Sequence, residues 1–236
     1  MAFIINNHPC WDDFLKRNDI QNELKEIEIK IGQDYFPKKE NIFRFMENDI
    51  KNIKYIIVGM EPYPSSFEYN GKIIPEATGR SFEVGSLRTK TWGDKFKQSS
   101  LRNILKTIYY NETNTLIDLQ TLRDKISNKE FQISNPSDWF DNTEKQGVLW
   151  LNATLTVKPN MVDTHRIYWD YFMTELFKYI NQINPNIIWV LWGNAAQERV
   201  LSIIPKDNCI CSVHPRLASF VNANCFKQLD QVNWCC

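Results

Sequence analysis

The sequence lacks long apolar runs and lacks net charge. No apolar run reaches about 18 residues, the length expected of a transmembrane helix. The N-terminal stretch MAFIINNHPCWDDF has neither the basic start nor the cleavable apolar core of a signal peptide. The 28 basic and 28 acidic residues cancel, so any contact with nucleic acid must come from a local surface. We therefore expect an intracellular, cytoplasmic protein without membrane contact, located in the nucleus if its source is eukaryotic or viral.

The sequence also lacks paired CxxC motifs and linker-like stretches. Its six cysteines are not spaced like the ligands of zinc or iron–sulfur sites, so no metal site is predicted. Without a secretory signal they are expected to be free thiols in a reducing compartment. No stretch is rich in glycine, serine or proline, and 236 residues suit one large core. We predict a single domain over residues 1–236.

Four short apolar runs are present, and they predict a parallel sheet. They are rich in β-branched and aromatic residues and nearly continuous, which is typical of strands covered on both faces. Helical patterns separate them, so strands and helices alternate along the chain. The predicted fold is α/β, a three-layer α/β/α sandwich with a central, mainly parallel four-stranded sheet. The runs are YIIVGM (55–60), GVLWLNATLTV (147–157), NIIWVLWG (186–193) and CICSV (209–213).

Polar residues follow or interrupt these predicted strands. Glu61 follows the first, Asn152 interrupts the second, Asn194 follows the third and His214 follows the fourth. Ligands of open parallel sheets bind beyond the carboxyl ends of the strands, so these side chains can converge on one pocket. Three of them have a structural alternative: Glu61 could cap a following helix, Asn152 could end strand pairing, and His214 could make a structural hydrogen bond, as a lone histidine commonly does. His8 and His165 are left as structural or surface residues.

Six segments occur in the order and rough spacing of the uracil-DNA glycosylases. The chain resembles the first family of that superfamily most closely, from about Tyr55 to Ser219. The resemblance implies hydrolysis of the N-glycosidic bond of uracil in DNA after base flipping, without a metal or organic cofactor. The segments are GMEPYP, GRSFEV, SSLRNILKTI, GVLWLNATLTV, VLWGNAAQERV and SVHPRLAS.

The resemblance assigns roles around the base. Glu61 would stabilise an oxocarbenium-like sugar and orient the attacking water, and His214 would donate a hydrogen bond to the leaving base. Asn152 would read the uracil edge. Phe82, which could alternatively belong to the core, would stack on the base. Tyr63 would exclude the thymine methyl group, and Met60 is also assigned to the base-binding set.

The resemblance also assigns contacts with the DNA backbone and a wedge. Backbone contacts position a duplex without reading its sequence, whereas a wedge fills the space left by the flipped base. The wedge position is Ala218, with Leu217 one residue earlier. The expected phosphate contacts are Ser100, Asn194, Arg216 and Ser219.

Several positions depart from the family pattern. Met60-Glu61 stands where the family has glutamine and aspartate, Pro64 stands where many members have histidine, and residues 65–77 form an insertion beside the pocket. A carboxylate misplaced by about 1 Å can cost on the order of a hundredfold in rate. A weakly active or inactive DNA-binding protein acting in replication or phage defence therefore stays open as an alternative. A second alternative is an α/β protein that binds free nucleobases or nucleotides. The expected partner is single- or double-stranded DNA containing uracil, with a protein inhibitor or replication protein as a further candidate, and a monomer is expected.

Overall fold

The computed structural model describes residues 3–85, 89–94 and 96–236. The described segments contain six strands and eight α-helices, which follow one another in the chain order α1 (Asp12–Leu15), α2 (Asn18–Ile31), β1 (Tyr55–Gly59), β2 (Ser66–Tyr69), β3 (Lys72–Pro75), α3 (Ser99–Thr113), α4 (Leu119–Ser127), α5 (Pro136–Lys145), β4 (Val148–Asn152), α6 (Arg166–Ile183), β5 (Ile188–Trp192), α7 (Asn194–Leu201), β6 (Cys209–Ser212) and α8 (Ser219–Ala223).

The main sheet confirms the predicted fold class. Its strand order is β4-β1-β5-β6, and all three pairings are parallel. The register pairs Gly59 with Asn152 at the carboxyl ends of β1 and β4. Trp192 and Ser212 form the corresponding pair in β5 and β6. The carboxyl ends of all four strands therefore lie at one edge of the sheet, as the sequence predicted.

Side chains of β1 alternate between two hydrophobic cores. Ile56 and Val58 point into the core that contains apolar residues of α2 and α6. Tyr55 and Ile57 point into the opposite core, which contains residues of α3 and α5. Burial on both faces explains the continuous apolar character of the strand, because neither face meets water. Helices on both sides give the predicted three layers.

The insertion at residues 65–77 forms an antiparallel hairpin of β2 and β3. Its turn is Asn70-Gly71, and both residues have positive φ, at 50° and 71°, as a type I′ turn requires. At its base, the buried Glu76 carboxylate accepts hydrogen bonds from Ser65 Oγ at 2.5 Å and Gln98 Nε2 at 2.7 Å. The hairpin is thus anchored to the segment that leads into α3.

The helices agree with the absence of long apolar runs in the sequence. In residues 3–85, 89–94 and 96–236, none combines the length and the apolar character needed to cross a membrane.

Candidate active site

Glu61 lies two residues beyond β1, at the carboxyl edge of the sheet. Its carboxylate accepts a hydrogen bond from the backbone N–H of Asp163 at 2.9 Å. Burial raises the pKa of Glu61, the Asp163 charge raises it further, and the backbone hydrogen bond opposes both effects. The alternative that Glu61 caps a helix is wrong, because residues 62–65 are not helical and β2 follows them.

Glu61 opens onto a cavity of about 570 Å³, called here the acid cavity. Beside it, the Arg166 guanidinium donates to Asp163 Oδ1 at 2.8 Å, and Arg199 donates to the Asp170 carbonyl oxygen at 2.8 Å. The cavity is therefore lined by side chains of both charges. The lining residues are Met60, Glu61, Thr154, Asp163, Arg166, Ala195, Glu198, Arg199 and Ser202.

Asn152 is the last residue of β4, and its side chain packs over the end of β1. A β-carbon placed on Gly59 would lie 2.5 Å from Asn152 Oδ1 and 2.7 Å from the Ser81 β-carbon. Only glycine fits there, so Gly59 is what allows this amide to lie across the strand end. Asn152 is also the last residue paired with β1, and beyond it the N–H of Thr154 donates to the Met60 carbonyl oxygen at 2.9 Å.

Phe82 has a left-handed backbone, with φ of 62°. The loop before it is fixed at two points. Ser81 Oγ donates to the Ile57 carbonyl oxygen at 3.0 Å, and the buried Arg80 donates to Asp141 in α5 at 2.6 Å. The Phe82 ring is half-buried, with its centroid 5.3 Å from that of Trp192. It therefore rests on the core through one part of its surface and leaves another part accessible.

His214 follows β6 and is half-buried. Its ring centroid lies 6.2 Å from that of Phe82, and its Nδ1 accepts the backbone N–H of Arg216 at 3.0 Å. With Nδ1 as acceptor, a neutral imidazole carries its proton on Nε2. Burial lowers the pKa of His214, and the nearby Arg216 charge lowers it further. The ring is therefore held as a neutral donor.

Gly193 determines where the His214 ring can lie. Its φ is +97°, and a β-carbon there would lie 2.9 Å from the His214 β-carbon and 3.1 Å from Cδ2. A larger residue would displace the imidazole. Gly193 thus joins Gly59 as a residue that the site requires and that the sequence analysis missed. A glycine directly after an apolar strand was the available signal.

The predicted residues thus form two groups. Phe82 and His214 are in ring contact. Asn152 packs over Gly59 together with Ser81, the residue before Phe82. Phe82, His214 and Asn152 are called here the imidazole cluster. Glu61 and Met60 line the acid cavity, whose lining does not include the imidazole cluster. The turn Gly193-Asn194 lies between the two groups, because Gly193 contacts His214 and the adjacent Ala195 lines the acid cavity.

Comparisons with known proteins support the resemblance, although no family model matches the chain. A uracil-DNA glycosylase of Francisella philomiragia is 29% identical, and the match covers 95% of this chain and 98% of that protein. A uracil-DNA glycosylase of Francisella tularensis subsp. novicida is 28% identical, covering 95% and 97%.

Solved structures agree with this match. The UNG of Nitratifractor salsuginis superposes with a TM-score of 0.72 at 20% identity, over 95% of this chain and 90% of that one. The mimivirus uracil-DNA glycosylase superposes with a TM-score of 0.65 at 24% identity, and the match covers 88% of this chain and 68% of that one. Along nearly its whole length the chain is thus similar to uracil-DNA glycosylases, and its fold is that of the solved structures. The departures at Met60 and Glu61 agree with the low identities.

Tyr63 is half-buried and packs against the same hydrophobic core as Phe82. Burial raises the pKa of its hydroxyl, and the Glu76 charge raises it further. Tyr63 is thus close enough to Glu76, at the base of the hairpin formed by the insertion, to feel its charge. Pro64 marks the start of that departure, and its carbonyl oxygen accepts the N–H of Asn160 at 2.8 Å.

The predicted DNA-contacting residues lie on loops and helix starts around this edge. Asn194 begins α7, Ser219 begins α8, and Ser100 is the second residue of α3. All of them are exposed or partly exposed, as are Arg216, Leu217 and Ala218. Asn103, which the sequence analysis missed, ties α3 to the 214–219 loop by donating to the carbonyl oxygens of Pro215 at 2.6 Å and Leu217 at 3.2 Å.

His165 is structural, as predicted. It is buried, and its Nδ1 lies 2.9 Å from Thr156 Oγ1, which also accepts the indole N–H of Trp169 at 2.7 Å. Its ring packs near the start of α6 and holds the segment that carries Asp163. Asp163 is a further residue that sequence reasoning missed; an acid followed by Thr-His before a helix gave no specific signal.

Proposed function

We propose that this chain excises uracil, or a closely related modified pyrimidine, from DNA by hydrolysing the N-glycosidic bond of a flipped nucleotide in base excision repair. Relatives named uracil-DNA glycosylase match over nearly its whole length. The observation that carries the proposal is that Glu61, Asn152 and His214 all lie at or just beyond the carboxyl ends of strands of one parallel sheet. Phe82 adds a stacking surface at the same edge.

Glu61 is the proposed electrostatic catalyst. As the bond to the base breaks, the sugar gains positive charge, and a carboxylate beside it lowers the energy of that transition state. The same carboxylate orients the attacking water. Its hydrogen bond from the Asp163 N–H fixes one oxygen and leaves the other for water. This role requires Glu61 to be ionised. Burial raises the pKa of its carboxyl group.

His214 is the proposed partner of the leaving base. The uracil leaves as an anion, and a hydrogen bond from Nε2–H to the base oxygen stabilises the charge that develops there. Acceptance of the Arg216 N–H by Nδ1 keeps this tautomer. Because the donor is held in place before reaction, no energy is spent on reorienting it.

Asn152, Phe82, Tyr63 and Met60 are the proposed base-binding residues. The buried Asn152 amide offers one donor and one acceptor, which uracil complements and cytosine does not. Phe82 would stack on the ring, and Tyr63 would crowd the C5 edge. Met60 stands where the family has glutamine, so it removes a hydrogen-bonding amide from the pocket wall and leaves an apolar contact.

Ser100, Asn194, Arg216 and Ser219 are the proposed contacts with the phosphodiester backbone. They surround the site edge and combine small hydroxyl and amide groups with one cation. Leu217 is 46% exposed and is the proposed wedge together with Ala218. The mimivirus enzyme has been solved in complex with the protein UGI, so a protein inhibitor is a proposed partner of this chain as well.

The test is cleavage of uracil-containing single- and double-stranded oligonucleotides, read as alkali-labile abasic sites. Wild type should release uracil, and Glu61→Gln should lose at least about a hundredfold in rate. Glu198→Gln is the matched control, because Glu198 is exposed on the same cavity and should retain activity. A panel of modified pyrimidines in the same assay maps base preference.

A weakly active or inactive DNA-binding protein is the second candidate. It is favoured by the position of Glu61, whose carboxylate is bound to Asp163 and faces a cavity without the imidazole cluster. This candidate predicts DNA binding by wild type and by Glu61→Gln alike, with no uracil released by either. The oligonucleotide assay therefore separates the two functions.

A further inference from the structure

We propose that His8, Cys10 and Asp49 form a binding site for a divalent transition-metal ion, with Zn²⁺ as the best fit. The three side chains each offer one ligand atom, and these atoms all lie within 4.8 Å of one another. His8 Nδ1 and Asp49 Oδ1 are 3.9 Å apart. Ligands of a tetrahedral Zn²⁺ ion bind at about 2.0–2.3 Å from the metal, so only small side-chain movements would close the three atoms around one ion.

The donor set selects the kind of ion. An imidazole nitrogen, a thiolate sulfur and a carboxylate oxygen suit Zn²⁺ and neighbouring transition metals, whereas Mg²⁺ and Ca²⁺ require oxygen ligands. All three residues are partly buried. The His8 side chain is 40% exposed and that of Asp49 is 25% exposed, so solvent can supply a fourth ligand. Three protein ligands and water complete a tetrahedron.

The backbone around the three ligands is held before any metal binds. The N–H of His8 donates to the Met46 carbonyl oxygen at 2.8 Å. The Trp11 indole N–H donates to the Asn48 carbonyl oxygen at 2.9 Å, and the Tyr179 hydroxyl donates to the Cys10 carbonyl oxygen at 2.6 Å. The N-terminal segment and the loop that carries Asp49 are therefore fixed against one another, so little ordering is needed on binding.

Backbone donors also support the ligand atoms themselves. The N–H of Ile50 points at Cys10 Sγ at 3.5 Å, and the N–H of Lys51 donates to Asp49 Oδ1 at 3.0 Å. Such donors stabilise negative charge on sulfur and oxygen and fix their orientation. His8 Nδ1 accepts the Cys10 N–H at 3.3 Å, and a bound metal ion would take the place of this hydrogen bond at the nitrogen lone pair. On binding, the metal replaces the thiol proton, which passes to solvent.

The position of the cluster assigns it a structural role. Asp49 precedes the short 3₁₀-helix Ile50–Asn52, which leads into the amino end of β1. Glu61 lies beyond the opposite end of the same strand. Binding of Zn²⁺ would therefore add a further link between the N-terminal segment and the loop that carries Asp49, raise the unfolding temperature and leave base excision unchanged. Sequence spacing did not reveal the site, because Cys10 and Asp49 are far apart in the chain.

The test is titration of the full-length chain with Co²⁺ and Zn²⁺ in the presence of a reductant. Wild type should bind one Co²⁺ with a thiolate-to-cobalt charge-transfer band and the strong visible bands of a tetrahedral ion, and Zn²⁺ should displace it. Cys10→Ser should lose the charge-transfer band. His8→Gln changes a partly exposed side chain and should bind at least about tenfold more weakly.

Cys211→Ser is the matched control, because Cys211 is an exposed free thiol outside the cluster and should bind like wild type. Zn²⁺ should raise the unfolding temperature of wild type and Cys211→Ser but not of His8→Gln. If Cys10→Ser fails to fold, metal binding by His8→Gln and Asp49→Asn still tests the proposal, because both should bind more weakly than wild type. Absence of a charge-transfer band in wild type, or equal binding by wild type and His8→Gln, would overturn the proposal.

Discussion

The acid cavity and the imidazole cluster differ in how their side chains are held. The imidazole cluster is fixed by close contacts that only glycine permits, at Gly59 against Asn152 and at Gly193 against His214. In the acid cavity, one backbone hydrogen bond holds Glu61, and charged side chains surround it. Close packing leaves little freedom, whereas a single hydrogen bond can be exchanged. The imidazole cluster is therefore rigid, and the acid cavity can adjust.

The strongest way to break this comparison is to remove the imidazole. His214→Ala should reduce the single-turnover rate of uracil excision by about 10²–10³-fold, because a preorganised donor to the developing anion is lost. Val213→Ala, which alters the exposed neighbouring residue, should keep the wild-type rate. If His214→Ala costs less than about threefold, well below the loss expected for such a donor, the imidazole is not the partner of the leaving base.

Glu61→Asp tests the acid half. It restores the residue of the family pattern but withdraws the carboxylate by one methylene from the Asp163 N–H. If the backbone is set for glutamate, the rate should fall by about 10–100-fold, since a shift of about 1 Å has that effect. Single-turnover kinetics at saturating DNA measure it. A rate equal to or above wild type would show that this half of the site is not adapted to glutamate.

Gly193→Ala tests the rigid half through its packing. The added methyl group would press on the His214 ring at a backbone φ of +97°, so excision should fall by about tenfold and stability by about 1–2 kcal/mol. Gly71→Ala is the matched control. Gly71 also has positive φ, at +71°, but has open space around it, so this variant should lose stability and keep its rate. Equal rates in both variants would refute the packing argument.

The smallest expected effect is on the pH dependence of the excision rate, which compares the ionisation of Glu61 with that of His214. Glu61 must be ionised, and burial raises its pKa, so activity should decline on acidification at a higher pH than an ordinary glutamate would give. The pKa of His214 is lowered, so it stays neutral further into the acid range. The pH–rate profile of wild type should therefore show an acid limb set by Glu61, which is absent in Glu61→Gln. An identical limb in both proteins would assign it elsewhere.

The sheet and the strand-end residues could be predicted because they depend on local pattern. Buried parallel strands give continuous apolar runs, and the residues after them meet at one edge by geometry alone. The hairpin of the insertion was missed, although Asn70-Gly71 is a recognisable turn signal, because its strands are short and mostly exposed.

The supporting contacts could not be predicted, because they join segments far apart in the chain. Asp163 reaches Glu61 across 102 residues, and Asn103 reaches Pro215 across 112. Nothing in either local sequence specifies such a partner. The left-handed backbone of Phe82 was equally hidden, since phenylalanine rarely adopts it without tertiary support.

The most direct test is a crystal structure of the full chain with single-stranded DNA that carries a non-cleavable 2′-fluoro-deoxyuridine. We expect the uracil ring to stack on Phe82, with Asn152 on its edge and His214 Nε2 at its oxygen. The Glu61 carboxylate should lie beside the anomeric carbon of the same nucleotide. A bound uracil whose sugar is out of reach of Glu61, with the carboxylate still facing only the acid cavity, would contradict a catalytic site shared by the two halves.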